Sequence, residues 1–210
     1  MKPLVIGICG GSGSGKTSFI RSLRHAFTTA ELCIISQDDY YRPIQEQRTD
    51  AQGIHNFDRP AAVDKKALRH DLECLMRGEV VERLEYTFNN PLASPAKLVF
   101  HPAPVIIVEG LFVFHFKKLR PCFDLKLFVN AKENLKVIRR IRRDQIERNY
   151  PIEDVLYRYE HHVLPAYERY VLPYREEADL VINNNDDFER ALRVLGGFLR
   201  QHLNGRSANE

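Results

Sequence analysis

The sequence of 210 residues has no long hydrophobic run and almost no net charge. No apolar stretch approaches the ~20 residues that cross a bilayer, so we expect no membrane as partner. The formal net charge of +3 is too small to indicate nucleic acid as the main partner. The first residues, MKPLVIGICG, run directly into a predicted strand, so we expect no secretory signal.

Cysteines are few and scattered, and no C-x-x-C pair occurs. Three of the four lie in apolar surroundings, as buried free thiols do, which favours a reducing cytoplasmic location. No internal repeat is visible, and the composition is ordinary for a globular protein. We therefore predict a single domain over residues 1–210. The cysteines are Cys9, Cys33, Cys74 and Cys122.

A glycine-rich stretch, GGSGSGKTS, lies between an apolar run and an amphipathic run. It matches the P-loop pattern G-x-x-x-x-G-K-[ST], whose glycines aim backbone N–H groups at a polyphosphate. The following helix start adds partial positive charge. In this pattern Lys16 reaches the β- and γ-phosphates, and the Thr17 hydroxyl ligates Mg²⁺. The residues predicted to bind ATP or GTP here are Gly10, Gly11, Ser12, Gly13, Ser14, Gly15, Lys16, Thr17 and Ser18.

Apolar runs alternate with amphipathic runs along the chain. LVIGIC, CIIS, VIIVEG, DLKLFVN and ADLVINN are predicted strands, and residues 63–77, 132–148, 152–170 and 187–203 have helical spacing. Continuous apolar strands are typical of a parallel sheet covered on both faces. The alternation predicts an α/β fold with a doubly wound parallel sheet. Together with the phosphate-loop pattern after the first strand, it indicates the P-loop nucleoside triphosphate hydrolase fold.

Two segments interrupt this alternation. Residues 80–101 contain short strand-like pieces around the turn-rich NNPLASP, which predicts a β-ribbon projecting from the sheet. Residues 42–53 are polar, and this composition predicts a mobile loop.

Acidic side chains stand where two predicted strands end. Asp38 follows CIIS, and Glu109 closes VIIVEG. Chemistry in open α/β sheets lies beyond the carboxyl ends of the strands, so both should lie near the phosphate loop. We predict that Asp38 accepts the proton of an attacking hydroxyl, and that Thr17, Glu109 and Asp38 form the Mg²⁺ site. The alternative for each carboxylate is a helix cap.

One predicted helix holds five arginines within ten positions. Arginines that close over a triphosphate stabilise charge on the transferred phosphoryl group. We predict that Arg140, Arg143 and Arg148 belong to a lid at residues 139–150, displaced without ligand, and that Arg142 is solvated. Arg143 joins Asp38 and Lys16 in the predicted catalytic set. The alternative is a solvated helix face with i, i+4 ion pairs.

These motifs, in this order, resemble the uridine–cytidine kinases, within the wider group of P-loop kinases that includes phosphoribulokinase and nicotinamide riboside kinase. The resemblance implies ATP-dependent phosphorylation of a nucleoside 5′-hydroxyl, with uridine or cytidine as substrate, and a homo-oligomer. It runs from residue 5 to about 185. The matching stretches are GGSGSGKTS, ISQDDYY, NFDRP, YTF, IVEGLF, RRIRRDQIER, HHVLPAYERY and ADLVINN.

The resemblance also implies roles for residues on the substrate side. Asp38 would take the proton of the 5′-hydroxyl. Asp58 would accept hydrogen bonds from the ribose hydroxyls, with Arg140 on the same side. Arg143 and Arg148 would cover the ATP phosphates. Aromatic side chains would line the nucleoside site, with simple packing as the alternative for three of them. They are Tyr41, Phe57, Tyr86 and Phe88.

The sequence departs from the family pattern where the base is recognised. Pro91 stands in place of a pyrimidine-reading histidine, and Tyr150 and Arg158 replace an arginine and a glutamine. A proline side chain cannot hydrogen-bond a base edge, so pyrimidine specificity does not follow from the motifs. ISQDDYYRP and RTDAQG are also similar to nicotinamide riboside kinases, which makes nicotinamide riboside or another ribosyl compound the alternative substrate.

Other classes of protein also carry a phosphate loop. A regulatory GTPase would normally carry an N-K-x-D stretch, which this chain lacks. A non-catalytic nucleotide-binding module remains open, although it would need neither Asp38 nor the arginine lid. His161 and His162 have no metal-ligand partner at a fixed spacing, so we expect them to be structural or surface residues.

Overall fold

A five-stranded parallel sheet forms the centre of the computed structural model, which describes residues 2–87, 94–148 and 150–207, without the side chains of 147, 148 and 207. Its strand order is β2-β5-β1-β6-β7, and β3 pairs with β4 in a separate ribbon. The strands are β1 (Leu4–Cys9), β2 (Leu32–Ser36), β3 (Val81–Leu84), β4 (Lys97–Phe100), β5 (Val105–Gly110), β6 (Leu125–Asn130) and β7 (Leu180–Asn183).

Helices cover both faces of the sheet. In β1, Val5 and Cys9 face one apolar cluster while Ile6 and Ile8 face the other, because successive side chains of a strand point to opposite sides. This two-sided burial confirms the predicted doubly wound fold. The helices are α1 (Lys16–Ala26), α2 (Lys65–Met76), α3 (Glu133–Arg148), α4 (Ile152–Arg158), α5 (Leu164–Tyr170) and α6 (Glu189–Ser207). In the described part of the chain, no helix combines the length and apolar character that a membrane span needs.

The run predicted to be helical over residues 152–170 is helical throughout, with a π-helical turn in its middle. Between α4 and α5 the chain forms a π-turn over Tyr159–Val163. Pro165 follows in the first turn of α5. Proline has no N–H for the carbonyl four residues earlier and its ring clashes with that carbonyl, so the wider turn relieves both problems.

The predicted ribbon is present in the part of the chain that the structure describes. β3 and β4 pair antiparallel, from Val81 opposite Phe100 to Leu84 opposite Lys97. Arg83 fastens the ribbon to the main body, since its Nη1 donates to Asp71 Oδ2 at 2.8 Å. The ribbon tip, with Phe88 and Pro91, lies outside the described residues.

Candidate active site

The phosphate loop connects β1 to α1 and has two glycines with left-handed backbones. Gly13 has φ 76° and Gly15 has φ 95°. A Cβ on Gly13 would collide with the Lys136 carbonyl oxygen, and one on Gly15 would collide with the Asn184 side chain. Asn184 Nδ2 also donates to the Ser14 carbonyl at 2.9 Å. The loop is therefore shaped both by its own glycines and by α3 and the chain after β7.

Lys136 of α3 lies buried against this loop, with 3% of its side chain exposed. Its Nζ is 2.6 Å from Glu133 Oε1 and 3.5 Å from the centre of the Tyr167 ring. Burial lowers the pKa of Lys136, and the Glu133 carboxylate opposes that shift. Sequence reasoning missed this lysine; its spacing of four from Arg140 on the same helix was the available signal.

The two predicted carboxylates lie at the same edge of the sheet. Ser36 Oγ donates to Glu109 Oε1 at 2.6 Å and accepts the Asp38 N–H at 3.2 Å. Burial raises the pKa of Glu109, the charge of Asp38 raises it further, and Lys16 lowers it. The charges of Lys16 and Asp38 thus both act on the Glu109 carboxyl group.

Oxygen ligands for a divalent cation are available at this edge. Glu109, Asp38 and the exposed Thr17 provide carboxylate and hydroxyl oxygens, the hard donors that Mg²⁺ takes together with substrate phosphates. No group of three or more acidic, histidine or cysteine side chains forms a cage among residues 2–87, 94–148 and 150–207. The residues fit a cation that binds with the nucleotide better than one held by the protein alone.

Arg140 connects the phosphate loop to the substrate side. Its Nη1 donates to Ser12 Oγ at 2.9 Å and lies 4.0 Å from Asp58 Oδ1. Its Nε is 3.1 Å from Asp144 Oδ2, and only 8% of the side chain is exposed. A nearly buried arginine between two carboxylates and the loop is positioned to fix the phosphate loop relative to the substrate side of the site.

The remaining arginines of α3 point to different parts of the molecule. Arg143 pairs with Asp144 at 2.9 Å and remains about one-third exposed. Arg142 is exposed, as predicted. Arg139 donates to the carbonyls of Asn184 and Asn185 and so fastens α3 to the end of β7. The Arg148 side chain lies outside the described part, so its lid role stays a prediction.

Three of the four predicted aromatic residues cluster beside the acidic edge. The Tyr41 ring lies 5.9 Å from Phe57, edge-on, and 5.5 Å from Tyr86. All three are half-buried. Burial and the charge of Asp38 raise the pKa of Asp39 to about 6, against the opposing effect of a backbone hydrogen bond from Tyr86.

Two residues that break the family pattern contact each other. The Arg158 guanidinium lies 5.7 Å from the centre of the Tyr150 ring. Arg158 Nη1 also donates to the His55 carbonyl at 3.3 Å, two residues before Phe57. The side chains at these positions therefore contact one another and the loop that leads into the aromatic cluster.

Comparison with known proteins identifies the family. Residues 5–189 match the model of the phosphoribulokinase / uridine kinase family. The chain belongs to that family. The predicted family, P-loop kinase fold and phosphotransferase class are thereby confirmed.

Similar proteins cover most of the chain. It is 37% identical over 206 residues to a protein named uridine kinase of Bacillus pumilus (strain SAFR-032), covering 98% of both chains. It is 35% identical over 181 residues to a uridine kinase of Streptococcus equi subsp. zooepidemicus, covering 86% of this chain and 87% of that one. The solved phosphoribulokinase from Rhodobacter spheroides shares the fold with a TM-score of 0.60 at 19% identity, over 87% of this chain and 70% of that one.

Proposed function

We propose that the chain transfers the γ-phosphate of ATP or GTP, with Mg²⁺, to the 5′-hydroxyl of a nucleoside, uridine or cytidine. The observation that carries the proposal is the position of Arg140 between Ser12 of the phosphate loop and Asp58. Asp58 beside the half-buried aromatic cluster suits a ribose that carries a flat base. The uridine kinase names of the similar proteins agree with this substrate class.

Each residue has a definite task in this proposal. The amides of Gly10–Gly15 and Lys16 bind the triphosphate. Asp38 takes the proton of the attacking hydroxyl, and Asp58 with Arg140 holds the ribose so that this hydroxyl points inward. Arg143 and Arg148 cover the phosphates and exclude water when the lid closes. When bound at Thr17, Glu109 and Asp38, Mg²⁺ would neutralise charge on the phosphates.

A second substrate, nicotinamide riboside or another ribosyl compound, is favoured by one observation. Tyr150 and Arg158 contact each other where the family pattern has hydrogen-bonding residues that read a pyrimidine. The ribose side of the site would serve either substrate in the same way. The homo-oligomer and the cytoplasmic location remain predictions from the sequence.

A phosphorylation screen tests the proposal. Purified protein is given labelled ATP or GTP with uridine, cytidine, nicotinamide riboside or ribulose 5-phosphate, and the phosphorylated product is separated. We expect the label to pass to uridine or cytidine. Preferential labelling of nicotinamide riboside would replace the pyrimidine substrate, whereas no transfer to any acceptor would overturn the kinase proposal.

A further inference from the structure

Asp50, in the loop before the aromatic cluster, accepts four hydrogen bonds. Its Oδ1 accepts the N–H groups of Gln52 and Ile54 at 2.8 and 2.9 Å. Its Oδ2 accepts from the Tyr157 hydroxyl at 2.9 Å and lies 2.7 Å from His162 Nε2. An ionised carboxylate can only accept hydrogen bonds, so the proton between Asp50 and His162 is carried by His162 Nε2.

These contacts keep the carboxyl group of Asp50 ionised. Burial alone would raise the pKa of Asp50, but the hydrogen bonds from Ile54, His162 and Tyr157 outweigh it and hold that pKa well below its ordinary value. Asp50 Oδ1 accepts hydrogen bonds from the loop itself, and Oδ2 contacts the helical segment that follows the predicted lid. Asp50 thus joins two parts of the molecule that are distant in sequence.

The π-turn determines where His162 points. His162 lies within Tyr159–Val163, and 2% of its side chain is exposed, whereas the neighbouring His161 is 50% exposed. An extra residue in the helical turn shifts the direction of the following side chains, and such turns are frequent at functional sites. His162 therefore faces the loop, which sequence reasoning did not predict.

On the loop side, a chain of short contacts leads from Asp50 to the substrate residues. Thr49 pairs with His55 in an antiparallel bridge, and the Asn56 N–H donates to the Arg48 carbonyl at 2.9 Å. Asn56 Oδ1 then accepts the Asp58 N–H at 2.9 Å. The tip of the loop is consequently tied by a short hairpin to the carboxylate proposed to hold the ribose.

We call residues 42–58 the substrate loop, and residues 133–148 with 150–170 the helical arm. The two contact each other at several points in the described residues. Asp50 contacts His162 and Tyr157, the His55 carbonyl accepts from Arg158, and Asp58 lies beside Arg140. The arm also carries Arg140 and Lys136 against the phosphate loop. One set of helices therefore touches both binding regions.

We propose that the contacts of Asp50 with His162 and Tyr157 couple the substrate loop to the helical arm, so that nucleotide binding to the arm tightens nucleoside binding. Asp50 and His162 are positioning residues in this account, because they act through Phe57 and Asp58. The inference rests on the proposed function for the identity of the acceptor. The coupling itself does not depend on which acceptor binds.

Two measurements test the coupling. The first is the dissociation constant of uridine with and without a non-hydrolysable ATP analogue, whose ratio measures the interaction between the sites. The second is hydrogen exchange at residues 50–56, with and without the analogue alone. Variants are Asp50→Asn, whose amide has one acceptor oxygen, His162→Leu, and His162→Gln, whose side chain can still donate. Glu73→Gln, which removes the charge of a partly exposed ion pair on α2, is the matched control.

We expect the analogue to tighten uridine binding and to slow exchange at residues 50–56 in the wild type and in Glu73→Gln. In Asp50→Asn and His162→Leu the affinity ratio should fall towards one, and the KM for uridine should rise about tenfold, as expected for lost hydrogen bonds to a charged group. The KM for ATP should change by less than about twofold, and His162→Gln should retain most of the coupling.

The outcomes separate this proposal from the proposed function. If no nucleoside is bound or phosphorylated but the analogue alone slows exchange in the wild type and not in Asp50→Asn, the coupling stands and the acceptor is wrong. If uridine is phosphorylated while the affinity ratio is equal in wild type, Asp50→Asn and His162→Leu, the coupling is wrong. Unchanged loop exchange on adding the analogue to the wild type also overturns it.

Discussion

Ser36 and Glu109 face each other across β2 and β5, and Ser36 Oγ donates a 2.6 Å hydrogen bond to Glu109 Oε1. The same hydroxyl accepts the N–H of Asp38. A serine at the end of β2 therefore holds the Glu109 carboxylate and the Asp38 backbone at the same edge of the sheet. Each of the two acidic residues has its own experimental signature.

Replacing the Glu109 carboxylate should weaken the response to magnesium. We expect Glu109→Gln to raise the Mg²⁺ concentration for half-maximal activity about 10–100-fold, because a neutral amide attracts a divalent cation less strongly. Ser36→Ala keeps the carboxylate and should have a smaller effect. The measurement is initial rate against Mg²⁺ concentration, and an unaltered curve for Glu109→Gln would remove Glu109 from the metal site.

Loss of the Asp38 carboxylate should affect chemistry far more than binding. We expect Asp38→Asn to lower kcat about 10²–10⁴-fold, the usual cost of losing a general base, with little change in nucleotide affinity. The neighbouring Asp39→Asn should keep kcat within a few-fold. Steady-state kinetics and nucleotide titration check both variants. Turnover of Asp38→Asn close to that of the wild type would rule out the assignment of the base.

The charge of Asp39 should destabilise the fold at neutral pH. Burial and Asp38 raise the pKa of Asp39 from 3.8 to about 6, so the folded state binds its proton more tightly than the unfolded chain. The contribution of Asp39 to the free energy of unfolding therefore falls as pH rises through this window. We expect Asp39→Asn to raise Tm relative to wild type at pH 8, with the difference shrinking towards pH 4.

A constant Tm difference across that pH range would show that the effect of Asp39→Asn is not electrostatic. A lower Tm at pH 8 would mean that the hydrogen bond with the Tyr86 N–H outweighs the cost of burying the charge. Glu73→Gln serves as the control, since loss of a partly exposed ion pair on α2 should change Tm little.

The thiol next to the phosphate loop should be inert in the folded protein. Cys9 is fully buried, and burial raises its pKa to about 12. At pH 8 only about one Cys9 side chain in 10⁴ is then in the reactive thiolate form. We expect iodoacetamide to modify the half-buried Cys122 before Cys9, as read by peptide mass spectrometry. Early modification of Cys9 without unfolding would contradict its burial.

Local sequence patterns were sufficient to predict the strands of the sheet and the phosphate loop. The phosphate loop, the five sheet strands and the acidic residues at strand ends follow from spacing over a few residues, because apolar periodicity and glycine content act on the nearby backbone. The beginning of α2 at Lys65 shows the same rule, since the Asp64 side chain accepts the N–H groups of Lys66 and Ala67. Pro165 was likewise a readable signal for the π-turn that precedes it.

The sequence by itself determined a parallel sheet with a phosphate loop after its first strand and acidic residues at the ends of two other strands. Only the tertiary structure decided that Arg140 reaches Ser12, 128 positions away, and that His162 reaches Asp50, 112 positions away. Neither contact leaves a local pattern, because each depends on how the helical arm packs across the end of the sheet. The buried Lys136 and the direction of His162 follow from that packing, and no run of neighbouring residues specifies it.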